Sequence, residues 1–337
     1  MSILGGLDIH RSQITFDYLD TDTGEVSCGR IVPADRGYLR EWLTRFRGRD
    51  DVAFALEGCT GWRFVVDELR RVGIRAHLAE PADTSTQRGP KKRAKTDRAD
   101  ARLQRELLTT GRLPESWIPP DHVLEARTKV RLYAALSEER KAWRQRLRAT
   151  LFHQGVSVHV PAYDGAAFAH VELSPASRQA IEVALRQINR LTDELVKLRE
   201  ELASFGRRQL GCRALQAQYG IGSLLAVTIW EELGDCRRFR SSSDAVRHSG
   251  LDVTVYASDD KRSPGHLAKQ GPAVLRWALY EAAMLAAKAT SPDHLYFSQV
   301  RARCGTSRAA FSVGRKILRR SYHVLRGLGD EALAPAS

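Results

Sequence analysis

Residues 3–9 read Ile-Leu-Gly-Gly-Leu-Asp-Ile (ILGGLDI), an apolar run that carries one carboxylate near its end. As a buried strand it is the first of three. Residues 13–19 (QITFDYL) and 25–32 (EVSCGRIV) follow, set apart by the turn signal DTGE. A helix is expected over 36–47, with Leu39, Trp42, Leu43 and Phe46 at helical spacing. A short buried strand (VAFAL, 52–56), a helix over about 62–72 and a strand at 74–79 come next. Three strands, then helix and strand in alternation, describe an α/β layered domain.

Beyond it, TSTQRGPKKRAK (84–95) reads as a basic linker, and Thr96 as the N-cap of a helix over about 97–111. The proline-rich LPESWIPPD (113–121) marks a boundary, giving a first domain over 1–118. A charged helix is expected over 122–154 and a second over about 176–205. The second carries Ile181, Ala184, Ile188, Leu191, Leu195, Leu198, Leu202 and Phe205 spaced by three and four. Such a seam serves an antiparallel hairpin with the preceding helix or a dimerising coiled coil. The helical region is assigned to 119–206 and a further, mainly helical domain to 207–330. The last residues, 331–337, read as a frayed tail.

The 337 residues suit two or three domains, and the formal net charge of +13 points to a polyanionic partner, nucleic acid first. Five scattered cysteines, none in a CxxC, argue against a disulfide framework and a zinc site and fit a reducing cytoplasm. The start has no signal-peptide pattern, and no run approaches the ~20 apolar residues of a membrane span.

Four carboxylates stand at informative places. Asp8 closes the first strand, Glu57 follows the fourth, and Asp97 and Asp100 open a helix three residues apart, on one face. Carboxyl ends of strands border the usual functional crevice of an α/β sheet. Clustered carboxylates repel, and a hard divalent cation is the usual remedy. Two such ions can clamp a phosphodiester. Singly, each acid could equally be an N-cap or a surface charge.

Strand-end Asp8, the E-G-C-T-G around Glu57 and the K-T-D-R-A-D of Lys95–Asp100 resemble the RuvC-like, RNase H-like half of the DEDD transposases of insertion-sequence family one-ten. In the C-terminal half, Gly250-Leu251, Tyr256-Ala257-Ser258, Gly265, Lys269, Gly271, Leu275 and Arg276 fall in the order of the same family's transposase domain. Asp259 stands where that pattern usually has glycine after the serine, and Val253 where it has proline.

The resemblance implies an RNase H-like α/β domain, a helical coiled-coil insert and a mostly α-helical transposase domain. It implies that Asp8, Glu57, Asp97 and Asp100 are a metal-binding tetrad, with Mg²⁺ the default ion, and that Ser258 is the nucleophile. It implies a structured noncoding bridge RNA that pairs with donor and target DNA, a dimeric or tetrameric assembly, and a bacterial protein acting at the nucleoid. From the residues alone, Ser258 is one loop serine among others. Tyr256 is a rival nucleophile, and a serine hydroxyl needs activation in any case.

Several further residues are candidates for nucleic-acid contact. Gly220 and Gly222 form a Gly-Ile-Gly turn between helices that resembles a DNA-backbone contact and serves equally as a plain connector. Lys91, Lys92, Arg93 and Lys95 precede the Asp97 pair, and Lys269 and Arg276 follow Ser258. Arg140, Lys141, Arg144, Arg146 and Arg148 flank Trp143, and Arg315 and Arg319 lie on the last helix. Arginine suits bidentate phosphate contact, while a solvated helix face is the plainer use. Two other functions compete: a metal-dependent structure-selective nuclease that needs no serine, and a non-catalytic nucleic-acid-binding protein.

Overall fold

The run ILGGLDI forms β1 (Ile3–Ile9), inner strand of a six-stranded sheet. The computed structural model describes residues 2–87, 96–156, 168, 171–254, 257–258, 261–262 and 265–334. Two units emerge, Met1–Ile118 and Pro119–Ser337.

In the first unit, β1, β2 (Ile14–Asp20) and β3 (Val26–Ile31) form an antiparallel meander. Then β4 (Val52–Glu57) joins β1 in parallel, β5 (Arg75–Ala79) joins β4 in parallel, and a short β6 (Glu115–Ser116) caps the edge antiparallel to β5. This mixed sheet agrees with the expected RNase H-like domain.

Side chains alternate across a strand, so β1 serves two faces. Gly5 lies against the Phe54 ring and Tyr18, within an aromatic group of Phe16, Tyr18, Trp42, Phe46 and Phe54 whose ring centroids lie 4.8–6.3 Å apart. Here α1 (Arg36–Leu43) and α2 (Trp62–Arg71) bury Leu39, Leu43, Val65 and Leu69 in the core. Gly6 faces the other side, where α4 (Asp97–Thr109) crosses the sheet. A Cβ on Gly6 would lie 2.0 Å from the Ala101 carbonyl oxygen and 2.7 Å from the Arg105 nitrogen. Glycine there lets the helix backbone touch the sheet.

Four local readings need correction. The helix expected over 36–47 ends at Leu43 and tightens into a 3-10 turn over Thr44–Phe46. The basic linker starts later than expected, because α3 (Pro81–Thr86) takes its first residues, with proline preset for a first helical turn. The proline-rich break contains β6, which finds a free sheet edge. The tail is partly docked: Ala332 is buried, and its carbonyl accepts a 2.7 Å hydrogen bond from the buried Trp230 indole. A buried indole N–H requires an acceptor, and the chain end supplies it.

In the second unit, α5 (Asp121–His153) and α6 (Pro175–Arg207) form an antiparallel hairpin. Lys129 meets Glu201 at 2.6 Å, Arg140 meets Thr192 at 3.4 Å, and Leu147 and Leu151 pack with Ile181, Ala184 and Ile188. The apolar seam of α6 is thus used within the chain, as the hairpin reading had it. Behind it lie α7 (Leu210–Gln216), α8 (Ser223–Leu233), α9 (Ser242–His248), α10 (Ala273–Met284), α11 (His294–Cys304) and α12 (Thr306–Leu328). Buried Glu231 and Glu232 on α8 meet Arg127 of α5 at 2.8 and 3.7 Å, and Arg131 reaches Glu232 at 3.5 Å. Burial first, then Glu232, pushes the Glu231 carboxyl up to about 8, against the pull of Arg127.

Candidate metal site and nucleic-acid surfaces

Three elements deliver the four acids. In the parallel β1–β4 pair Leu7 stands beside Leu56, so Asp8 and Glu57 are the next neighbours on the strand ends. Their face is the one Gly6 opens to α4. That helix starts where Thr96 caps it, its hydroxyl accepting from the Ala99 amide at 3.2 Å. Asp97 and Asp100 occupy its first turn. One turn further on, the buried Gln104 donates to Glu57 Oε1 at 3.0 Å. Arg105 holds Asp17, the buried acid opposite Gly6 on β2, at 2.6 Å.

Asp8 registers the result. Burial pushes its carboxyl up to about 6. His10 opposes that shift, while Asp100, Asp97 and Glu57 add to it. All four acids therefore share one electrostatic neighbourhood. Asp8 Oδ2 is buried, with no hydrogen bond of good geometry. Asp97 accepts from Gln13 Nε2 at 2.8 Å.

One residue here escaped the sequence reading. His10 Nε2 lies 3.1 Å from Asp8 Oδ2 and 3.4 Å from Asp97 Oδ1. Ligand atoms of Asp8, His10 and Asp97 all lie within 4.8 Å of one another. The signal was period two: Asp8 and His10 are alternate residues of one chain segment, on one face. Beside them a depression of about 620 Å³ is lined by Gln13, Thr15, Arg30, Thr96, Asp97 and Arg98 among others.

The basic run Lys91, Lys92, Arg93 and Lys95 lies outside the described residues. So do Tyr256, Asp259 and Ser263.

Ser258 lies on a short pair of strands. β7 (Val253–Thr254) pairs with β10 (His266–Leu267), and β8 (Ala257–Ser258) pairs with β9 (Lys261–Arg262), placing Ser258 opposite Lys261. The backbone on either side of β7 and β10 is held by close glycine contacts and by two arginines. Gly250, with φ +68°, lies so close to Gln270 that a Cβ would fall 2.0 Å from its carbonyl oxygen. Gly271, with φ +86°, meets the His248 carbonyl in the same way. Arg276 Nη1 donates to the carbonyls of Ser249, Gln270 and Gly271 at 3.1, 3.2 and 2.9 Å, and Arg315 Nη1 to that of Leu251 at 3.0 Å. The structure thus gives these two arginines a fastening task. Lys269, exposed and at φ +55°, donates its amide to Gly250 at 3.1 Å. Arg319 is exposed.

Gly220 (φ +88°) packs on the Ala282 carbonyl, where a Cβ would come within 2.8 Å. That contact is what a packed connector requires. Gly222 is the N-cap of α8, with open space around its Cα. On α5, Ser137, Arg140, Lys141, Arg144, Gln145 and Arg148 line a groove of about 340 Å³. Burial, then Arg144, holds the Arg140 guanidinium below its ordinary range.

Residues 5–153 match the DEDD transposases of IS110 elements, a family described as Transposase, and residues 212–298 match the Transposase IS116/IS110/IS902 family. A Sinorhizobium fredii protein that carries the transposase name y4rJ is 26% identical over 321 residues, covering 84% of this chain and 80% of that protein. The DEDD family suggests a divalent metal and binds DNA, and no helix among the described residues is long and apolar enough to cross a membrane. The acids around Asp8 fall inside the first matched segment and Ser258 inside the second, so both segments are similar to IS110-type transposases, enzymes that cut and rejoin DNA.

Proposed function

We propose that the chain is a bridge-RNA-guided DNA recombinase in which Asp8, Glu57, Asp97 and Asp100 hold divalent metal and Ser258 is the nucleophile. The observation that carries the metal half is the gathering of Asp8, His10 and Asp97, whose ligand atoms lie within 4.8 Å of one another, where burial and the neighbouring acids raise the Asp8 carboxyl. A buried, hydrogen-bond-poor Oδ2 among like charges fits a cation. When bound, Mg²⁺ supplies charge neutralisation at the scissile phosphate.

The chain's own residues do the rest. Gln104 orients Glu57, Gln13 orients Asp97, and Gly6 sets the helix height. Ser258, on β8, is the attacking residue. Its Oγ forms a bond to phosphorus as the phosphorus–oxygen bond to the 3′ carbon's oxygen breaks, and that oxygen leaves as a 3′-hydroxyl on taking a proton. The phosphoserine conserves the bond for rejoining. Tetrad and serine lie in different units of the chain, and the family resemblance supports a site assembled from two subunits of a dimer or tetramer. The bridge RNA sets sequence choice by pairing with donor and target DNA. Lys91, Lys92, Arg93, Lys95, Lys269, Arg319 and the α5 groove contact phosphates. The protein acts in the bacterial cytoplasm, at the nucleoid.

The test uses the protein expressed with its flanking noncoding DNA and a candidate target, read on a denaturing gel. Covalent protein–DNA adducts are expected in wild type and absent in Asp8→Ala and Ser258→Ala. Cleavage without adducts that survives in Ser258→Ala would leave a metal-dependent nuclease instead.

A further inference from the structure

The tetrad is all oxygen, yet the structure brings an imidazole into it. His10 Nε2 stands 3.1 Å from Asp8 Oδ2 and 3.4 Å from Asp97 Oδ1, between acids from β1 and from α4. Chain geometry makes this placement durable. His10 follows Asp8 by two residues and shares its face, and its amide donates to the Gln13 carbonyl at 2.9 Å in the turn to β2. Gln13 in turn holds the far oxygen of Asp97 at 2.8 Å. One short turn therefore fixes both the imidazole and the acid it faces.

An ion among Asp8, His10 and Asp97, whose ligand atoms lie within 4.8 Å of one another, is within reach of the Nε2 lone pair as well as of the carboxylate oxygens. We propose that His10 is a direct metal ligand through Nε2, so that the site offers nitrogen as well as oxygen. This rests on the reading of the tetrad as a metal site. Mg²⁺ takes hard oxygen ligands and keeps its waters, whereas imidazole suits first-row transition ions. The chain therefore selects Mn²⁺ over Mg²⁺ more strongly than four carboxylates do.

The experiment adds Mn²⁺ alone to the full chain. Bound ion is followed by electron paramagnetic resonance titration, and directly bound nitrogen by electron spin-echo modulation. Mg²⁺ affinity is measured by competition, with circular dichroism as a check on folding. Wild type is expected to show nitrogen modulation. His10→Gln is expected to lose it, with Mn²⁺ affinity down about tenfold or more and Mg²⁺ affinity changed much less. Mn²⁺ binding that needs Asp8, tested with Asp8→Asn, but shows no nitrogen modulation would overturn the role of His10 and leave the metal site standing. Modulation that persists in His10→Gln would also overturn it. Binding indifferent to Asp8→Asn would overturn both readings.

Discussion

Two clusters of acids in this chain have the same physics and opposite fates. Glu231 and Glu232 on α8 are buried together, and Arg127 and Arg131 close over them at 2.8 to 3.7 Å. Asp8, Glu57, Asp97 and Asp100 also crowd one another, and an imidazole and two amides, from His10, Gln13 and Gln104, are among their contacts. Carboxyls are pushed up in both, to about 8 at Glu231 and about 6 at Asp8. The first cluster is answered within the chain and joins α5 to α8. The second is the one for which we propose a cation.

The largest expected effect breaks the closed cluster. Arg127→Ala leaves buried charge without its main partner and should cost about 3–5 kcal/mol in urea unfolding of the second unit. Metal binding at the tetrad should not change. Gly6→Val attacks the open cluster without touching an acid. Its side chain meets the Ala101 carbonyl, so α4 must lift. About 3 kcal/mol of stability should be lost, and Mn²⁺ binding with it.

Asp8→Asn should act with the opposite sign. The carboxyl of Asp8 is raised in the folded chain, from 3.8 to about 6, so metal-free stability falls as pH rises through that window. At pH 7.5 the asparagine variant should be more stable without metal, on the order of 1–2 kcal/mol. It should also lose the rise in Tm that Mn²⁺ gives wild type. A metal-free variant less stable than wild type would show that the cluster is not under repulsion. The smallest effect on folding belongs to the exposed Lys141 of the α5 groove changed to Gln. Stability should move by about 0.5 kcal/mol or less, while the salt dependence of nucleic-acid binding loses about 1 from its slope.

Periodicity and end signals carried most of the first unit. The strand runs, Thr96 as a cap and the three-residue spacing of Asp97 and Asp100 are local facts, and local facts are written in order along the chain. What was harder to read depends on partners. Nothing in DIHR shows that His10 will face Asp97, 87 positions on. Arg276 and Arg315 carry charge that suits phosphate, but their partners are backbone carbonyls supplied by folding. The seam of α6 fits a second chain or the preceding helix equally well, because knobs and holes look alike from one side. Ala332 is anchored by the distant Trp230 indole, a dependency invisible in an alanine-rich end.

The α5–α6 hairpin carries a consequence of scale. Each helix has 33 residues, which at 1.5 Å per residue is about 50 Å of rod. At 3.4 Å per base pair the same length spans about fifteen pairs of a duplex. Arg140, Arg144 and Arg148 mark one stretch of that rod at intervals of nearly one turn, as graduations mark a ruler. A helical polyanion laid along it would be met at fixed intervals whatever its sequence.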